Sequence, residues 1–209
     1  VTVPAFLVLL LALSGDEGGP VVVVPPEGPG GAGWIGAAVA ETLPRALQRV
    51  GVPAVPGSDR RRAQEALGVP GESATRATAI RVAESLGASR LVVGSWESHG
   101  ADLTLSLRLL DMRRGTLSAP LVARGPLVGL ARAVHALAWD VALAGERPPA
   151  GTREALLTAT DGTGFEALRA LGEGLTGRDA ASRVAGVRRA LGLQPAFDEA
   201  ALALSRLMV

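Results

Sequence analysis

The chain of 209 residues has no cysteine, and that removes disulfides, thiolate nucleophiles and Cys-ligated zinc in one stroke. It also has no lysine, so Schiff-base chemistry and the P-loop lysine are excluded. Asparagine and tyrosine are missing too, isoleucine occurs only at Ile35 and Ile80, and all 21 basic residues are arginine. This pattern follows the codon bias of a GC-rich genome and says little about function. Aromatic residues make up only 3% of the chain, so the core must be built from Ala, Leu and Val. A net charge of +1 gives no global electrostatic case for nucleic acid or an anionic membrane.

What is present suffices for a folded protein. Hydrophobic residues form 48% of the chain and charged residues 20%, the balance of a globular domain. The amino terminus, "VTVPAFLVLLLALSG", carries an apolar stretch too short to span a bilayer as a helix. It matches the apolar region of a signal peptide, with Ala12 and Ser14 at a plausible cleavage site, so residues 1–15 are expected to direct export. A buried strand or helix is the structural alternative, and a membrane tether through an uncleaved segment is another.

Beyond "SGDEGGP", Val21–Val24 reads as a strand buried on both faces. Ile35, Val39, Leu43, Leu47 and Val50 form a helical stripe that Gly51 ends. "VPAV" (52–55) predicts a second strand. Ser58 or Asp59 could cap a helix over "RRRAQEAL", with Gly68 as its terminator, and a further helix closes on Gly87. "SRLVVGSWE" (89–97) predicts a third strand. "DLTLSLRLL" (102–110) alternates with period two, placing Leu103, Leu105, Leu107 and Leu109 on one face. "TLSAPLVARG" (116–125) predicts a fifth strand, edge-like because of Pro120. Pro126 then opens an amphipathic helix. The order βαβαβββα predicts an α/β fold, a mixed sheet of about five strands with flanking helices. "AGERPPAGT" (144–152) is a linker, and the remainder reads helical, broken at Gly177 and at Gly192–Pro195.

Residues 30–36 hold the one motif that tempts a ligand reading. Gly31, Gly33 and Gly36 have G-x-G-x-x-G spacing, and Asp59 follows a little over twenty residues on. A nucleotide-binding or sensing domain is therefore the alternative function. Against it, "PPEGPG" separates the strand from the glycines, whereas a dinucleotide site needs the helix to start almost at once. Other chemistry is sparse. His99 lies in a hairpin turn and His135 within a helix, without ligands at metal spacing. Ser95 sits inside a strand, not on a nucleophile elbow. Glu41, Glu65 and Glu84 read as solvated helix residues, Arg60–Arg61–Arg62 as a solvated face with a possible phosphate role, and Trp34, Trp96 and Trp139 as core. No catalytic, cofactor-binding or metal residue is singled out, and no cofactor is expected.

"WIGAAVAETLPRAL", "AIRVAESLGASRLVVGSW" and "GADLTLSLRLLDMRRG" resemble the TolB amino-terminal-like domain, related to FlgO-type flagellar assembly proteins. Trp34, Ile35 and Gly36 match its first helix. Leu86, Gly87, Ala88, Val93, Gly94 and Ser95 match the lead into its third strand, and Leu107, Leu109, Asp111 and Gly115 its fourth strand and turn. The resemblance covers residues 18–145 and implies an exported, non-enzymatic domain without cofactor. The loop "PPEGPGGAG" departs from the family's pattern. "GVRRALGLQPAFDEAALALSRL" is similar to part of a tetratricopeptide array, which assigns residues 151–209 to about one and a half repeats. Such repeats bury their faces only against neighbours. The last helix is thus expected to meet further repeats, the α/β domain or another chain. Together these imply a periplasmic or cell-envelope scaffold that binds protein partners, with homo-oligomers possible and no stable membrane span once the signal is cleaved.

Overall fold

The computed structural model describes residues 19–30, 33–69, 75–145, 148–158 and 164–208. The apolar amino terminus, residues 1–15, lies outside them, as does Gly31. A mixed sheet forms the centre. Strand β1 (Val21–Val23) is buried on both faces and runs parallel to β2 (Arg90–His99). β2 and β3 (Asp102–Asp111) form a continuous antiparallel ladder from His99↔Asp102 to Arg90↔Asp111. β4 (Thr116–Leu117) and β5 (Leu121–Pro126) both pair with the far side of β3.

Two strand expectations are corrected. The strand predicted over 116–125 is two strands, because the ladder breaks at Ser118. There the backbone N–H of Leu109 donates to the Ser118 side-chain oxygen (2.9 Å), not to a carbonyl. Pro120 follows without an N–H to resume the ladder. The strand predicted over 52–55 shrinks to a single parallel bridge, Val21↔Ala54. Val21 donates to Pro53 O and receives from Val55 N, both at 2.9 Å, but Pro53 and Pro56 supply no donors to extend it.

The helices follow the apolar periodicity more closely. α1 (Gly33–Arg49), α2 (Gly57–Ala66) and α3 (Arg76–Ser85) end at Gly51, Gly68 and Gly87, whose φ values of +82°, +65° and +64° side chains rarely adopt. α2 starts earlier than expected, after Pro56, and neither Ser58 nor Asp59 caps it. Pro126 ends β5. A 3₁₀ turn over Leu127–Gly129 then leads into α4 (Leu130–Ala144). The segment Leu127–Ala144 is long and apolar enough to cross a membrane. Here it is a core helix, with Leu130, Val134, Leu137, Ala138 and Val141 buried.

The two faces of the sheet differ. Leu103, Leu105, Leu107 and Leu109 pack with Val92 and Trp96 into the main core, against α1 and α4, as the alternation predicts. The opposite face is covered near β1 by α3, where Ala79 and Ala83 meet Val22, Leu91 and Leu110. Farther along, this face carries Ser95, Glu97, Thr104, Ser106, Arg108 and Arg124. Polar residues there suit an antiparallel sheet with one solvated side.

Four more helices follow: α5 (Arg153–Thr158), α6 (Phe165–Leu175), α7 (Ala180–Leu193) and α8 (Asp198–Leu207). α6, α7 and α8 form a third layer over α1, because Leu168, Leu171, Val187, Phe197, Ala200 and Ala203 belong to the same continuous core, while α5 packs on α4. α6 and α7 are antiparallel. Gly164 N donates to Gln194 Oε1 (2.9 Å), Glu173 pairs with Arg189 (3.6 Å), and Gly174 meets Gly186, the numbers converging toward the turn. α8 lies back on the α/β unit, held by Arg45 to Asp198 and Glu199 at its start and by Asp59 to Arg206 (3.7 Å) near its end.

The α6–α7 contact depends on glycine. A Cβ at Gly174 would stand 2.8 Å from the backbone nitrogen of Val187, and one at Gly186 would press on the Gly174 backbone. Gly192, on the same helix as Gly186, has open space around it. Gly186→Ala should therefore lower stability by about 1–3 kcal/mol through overpacking. Gly192→Ala should be neutral or raise it by up to about 1 kcal/mol through helix propensity. Urea denaturation of the two variants measures the contrast.

Candidate functional site

Of the described glycines in residues 30–36, Gly36 serves packing, while Gly30 has open space around it. Gly33 is the first residue of α1. A Cβ at Gly36 would stand 2.5 Å from Pro26 O, so the close approach of helix to loop requires glycine. The start of α1 is roofed by α6: Trp34 meets Phe165 edge-on with ring centroids 6.0 Å apart, and the Arg169 guanidinium lies 5.9 Å from the indole. On α6, Gly172 is pressed against the Trp34 carbonyl. Trp34 is consequently half-buried. Trp96 is core, as expected, and Trp139 is half-buried beside it.

Two solvated-face expectations are corrected. Glu41 is buried, and its carboxylate pairs with Arg61. Arg60 is buried as well, donating to Gln64 Oε1 (2.7 Å) while its Nε finds no partner. Desolvation, followed by repulsion from Arg61, lowers the Arg60 pKa to about 10, and attraction to Glu41 opposes that shift. Of the triplet, only Arg62 is an exposed side chain. Glu65 and Glu84 are exposed as expected, Ser95 is in β2, and His99 ends β2 opposite Asp102. Among the described residues no group of three His, Asp or Glu could hold a metal ion.

A cluster of polar side chains drawn from distant elements lies where α1, α4 and α6 meet the α7–α8 link. It is a cleft of about 250 Å³, lined in part by Thr42, Arg49, His135, Leu168, Gln194 and Glu199. His135 is buried in its wall. Its Nδ1 lies 2.9 Å from Ala131 O, an acceptor only, so Nδ1 carries the hydrogen. Its Nε2 must then accept from Arg49 Nη1 at 3.1 Å, since a guanidinium only donates. Burial, reinforced by the Arg49 charge, holds this imidazole below its usual pKa of 6.5 and keeps it neutral. Across the cleft, burial raises the Glu199 pKa above 4.5, with Arg45 and Arg49 opposing. Arg49, Gln194, Phe197 and Glu199 were not legible as a site, because their elements are far apart in sequence. His135 had no signal beyond being one of two histidines.

The fold and cleft define an α/β protein with a mixed sheet, carrying a docked helical extension and a polar cleft at the junction. No protein-family model and no curated protein matches the chain. Among solved structures it is similar to the LpoB C-terminal domain from Salmonella enterica, at 21% identity and TM-score 0.42, over 52% of this chain and 83% of that one. The LpoB C-terminal domain from Escherichia coli gives 24% and 0.42, over 52% and 82% of the two chains. Lipoprotein GNA1162 from Neisseria meningitidis gives 19% and 0.40, over 52% and 80%. A likeness at these scores carries no argument about function.

Because the His135 pKa is depressed in the fold, its contribution to stability is complete above pH 6.5 and is lost as pH falls through the folded pKa. Glu199 acts in the opposite sense. Its contribution is complete below pH 4.5 and is lost as pH rises through its raised pKa. Asp111 and Asp179, held low mainly by backbone N–H donors, matter only near and below pH 3.8. The melting temperature should therefore fall between pH 7.5 and 5.5. His135→Gln should remove most of that fall.

Glu41→Gln is expected to cost about 1–3 kcal/mol in urea denaturation, since Arg61 loses its partner and buried Arg60 its nearby negative charge. Arg61, 21% exposed, keeps the loss below the roughly 3–5 kcal/mol of a fully buried pair.

Proposed function

We propose that this is an exported, non-enzymatic interaction protein of the bacterial cell envelope. In this reading a TolB amino-terminal-like unit carries the start of a tetratricopeptide-like array. The observation that carries it is the antiparallel α6–α7 pair followed by α8, the helix order that the carboxy-terminal resemblance implies. The segments that carry the amino-terminal resemblance also fall on suitable elements. "WIGAAVAETLPRAL" lies in α1, "AIRVAESLGASRLVVGSW" leads through α3 and Gly87 into β2, and "GADLTLSLRLLDMRRG" forms β3 and its turn.

Exposed apolar residues on the helical layer supply contact area for a partner. Leu193, Leu202 and Met208 are exposed on α7, on α8 and just beyond it. The packing role of Gly36 and the roof of α6 over Trp34 weigh against a nucleotide at residues 30–36.

Export is tested by fusing residues 1–30 to alkaline phosphatase, which is active only after export. Activity supports the envelope reading, and a silent but full-length fusion sinks it. Interaction is tested by a photo-crosslinker at Leu202 in the producing cell. One adduct in the envelope fraction, competed away by excess protein, is the expected result. The nucleotide alternative is tested by thermal shift against NAD, NADP, ATP, GTP and FMN. A ligand at a hundred times its Kd adds about 2.7 kcal/mol, roughly 5–10 °C for a chain of this size. The expected shift is below about 1 °C.

A further inference from the structure

The cleft between α1, α4 and the α7–α8 link has at its edge an exposed arginine with donors to spare. Arg45 holds both nearby carboxylates, Asp198 and Glu199, while Arg49 has only the neutral His135 ring as a hydrogen-bond partner. No carboxylate lies within 4 Å of Arg49 among the described residues. A guanidinium has five donors, and His135 uses one. His135 cannot compete for an anion, because its Nδ1 hydrogen is committed to Ala131 O and its Nε2 is occupied by Arg49. What it does is orient the guanidinium. Nearby, Gln194 uses its Oε1 to accept from Gly164 N, which leaves its Nε2 as a further donor.

The rest of the cleft sets the kind of anion. Val134, Leu168 and Phe197 supply apolar wall, and the volume of about 250 Å³ is below the range of drug-sized pockets. The carboxylates of Asp198 and Glu199 line the same cleft and repel a second negative charge on a ligand. We infer that the cleft binds a small monocarboxylate with an apolar substituent, its carboxylate on Arg49 and its apolar group against Val134, Leu168 and Phe197. A phosphate or dicarboxylate is disfavoured. The inference does not depend on export or on the repeat reading. Two sources share this chemistry, a free small carboxylic acid and the carboxyl terminus of a peptide.

The experiment is a titration of the full chain followed by backbone amide NMR. Probes are N-acetyl-leucine, its amide, inorganic phosphate, and an N-acetylated Ala-Ala-Leu peptide with a free or amidated carboxyl end. N-acetyl-leucine should perturb amides in 131–135 and 194–199 saturably, and its amide and phosphate should bind at least tenfold more weakly. Tighter binding of the free-ended peptide than of N-acetyl-leucine identifies a peptide terminus as the source, and the reverse order identifies a small acid. Either order supports the inference. Arg49→Gln should weaken N-acetyl-leucine at least tenfold, with unchanged melting in the absence of ligand showing that the variant folds. If Arg49→Gln melts early, the acid-against-amide comparison on the unaltered protein decides. Equal binding of acid and amide, preferential binding of phosphate, or no perturbation in these segments would overturn the inference.

Discussion

The structure depends on the burial of α1. Ile35, Ala38, Val39, Ala40, Leu43 and Leu47 are essentially inaccessible to water, and they occupy more than one side of the helix. A helix that is apolar nearly all round must be enclosed, not laid on a surface. The sheet and α4 enclose it from one side, and the carboxy-terminal helices from the other. The protein is therefore three layers deep, and the helical extension shares one core with the sheet. Removing that layer would expose the α1 residues beneath. At roughly 25 cal/mol per Å² of apolar surface, a loss of that kind is large beside the stability of an ordinary domain.

This enclosure accounts for the unusual polar interior. Where α1 is covered its polar residues must find partners inside, as Glu41 and Thr42 do, while Arg45, Gln48 and Arg49 line the side of the helix that stays open to solvent. Glu41 takes Arg61, Thr42 donates back to Ala38 O (2.8 Å), Gln48 reaches Ala54 O (2.8 Å), Arg45 meets the start of α8, and Arg49 meets His135. Each contact joins α1 to a different neighbour or satisfies its own backbone. An unpaired polar group there would cost far more than such a bond contributes. The junction cleft is the end of this series, the place where enclosure is incomplete and a charged side chain keeps donors to spare. The acidic start of α8 has a second effect, since Asp198 and Glu199 suit the positive end of that helix.

Strand β3 was legible because its alternation is strict, and β2 pairs with it in one hairpin. The helix ends at Gly51, Gly68 and Gly87 were legible because a left-handed residue is a local requirement. The strand at 52–55 was over-read. Apolar character marks a segment for burial but does not supply the N–H groups that two flanking prolines withhold. Glu41 and Arg60 were misjudged for a related reason. A charged residue on a helix reads as solvated until a second helix is known to lie across it, as α2 lies across Glu41 and supplies Arg61 as its partner.

By itself the sequence determined the α/β class, the leucine-lined face of the sheet, the absence of thiol and lysine chemistry, and the demotion of the glycine motif. These rest on composition, short-range periodicity and local backbone geometry, all of which can be read within a few turns of chain. Only the tertiary structure decided that the helical tail folds back onto α1, and that Arg49, His135, Gln194 and Glu199 share one cleft. Those side chains come from three helices and a connecting link, and the hydrophobic effect that brings them together has no direction. It fixes how much surface is buried; the shapes of the packed elements fix which residues meet.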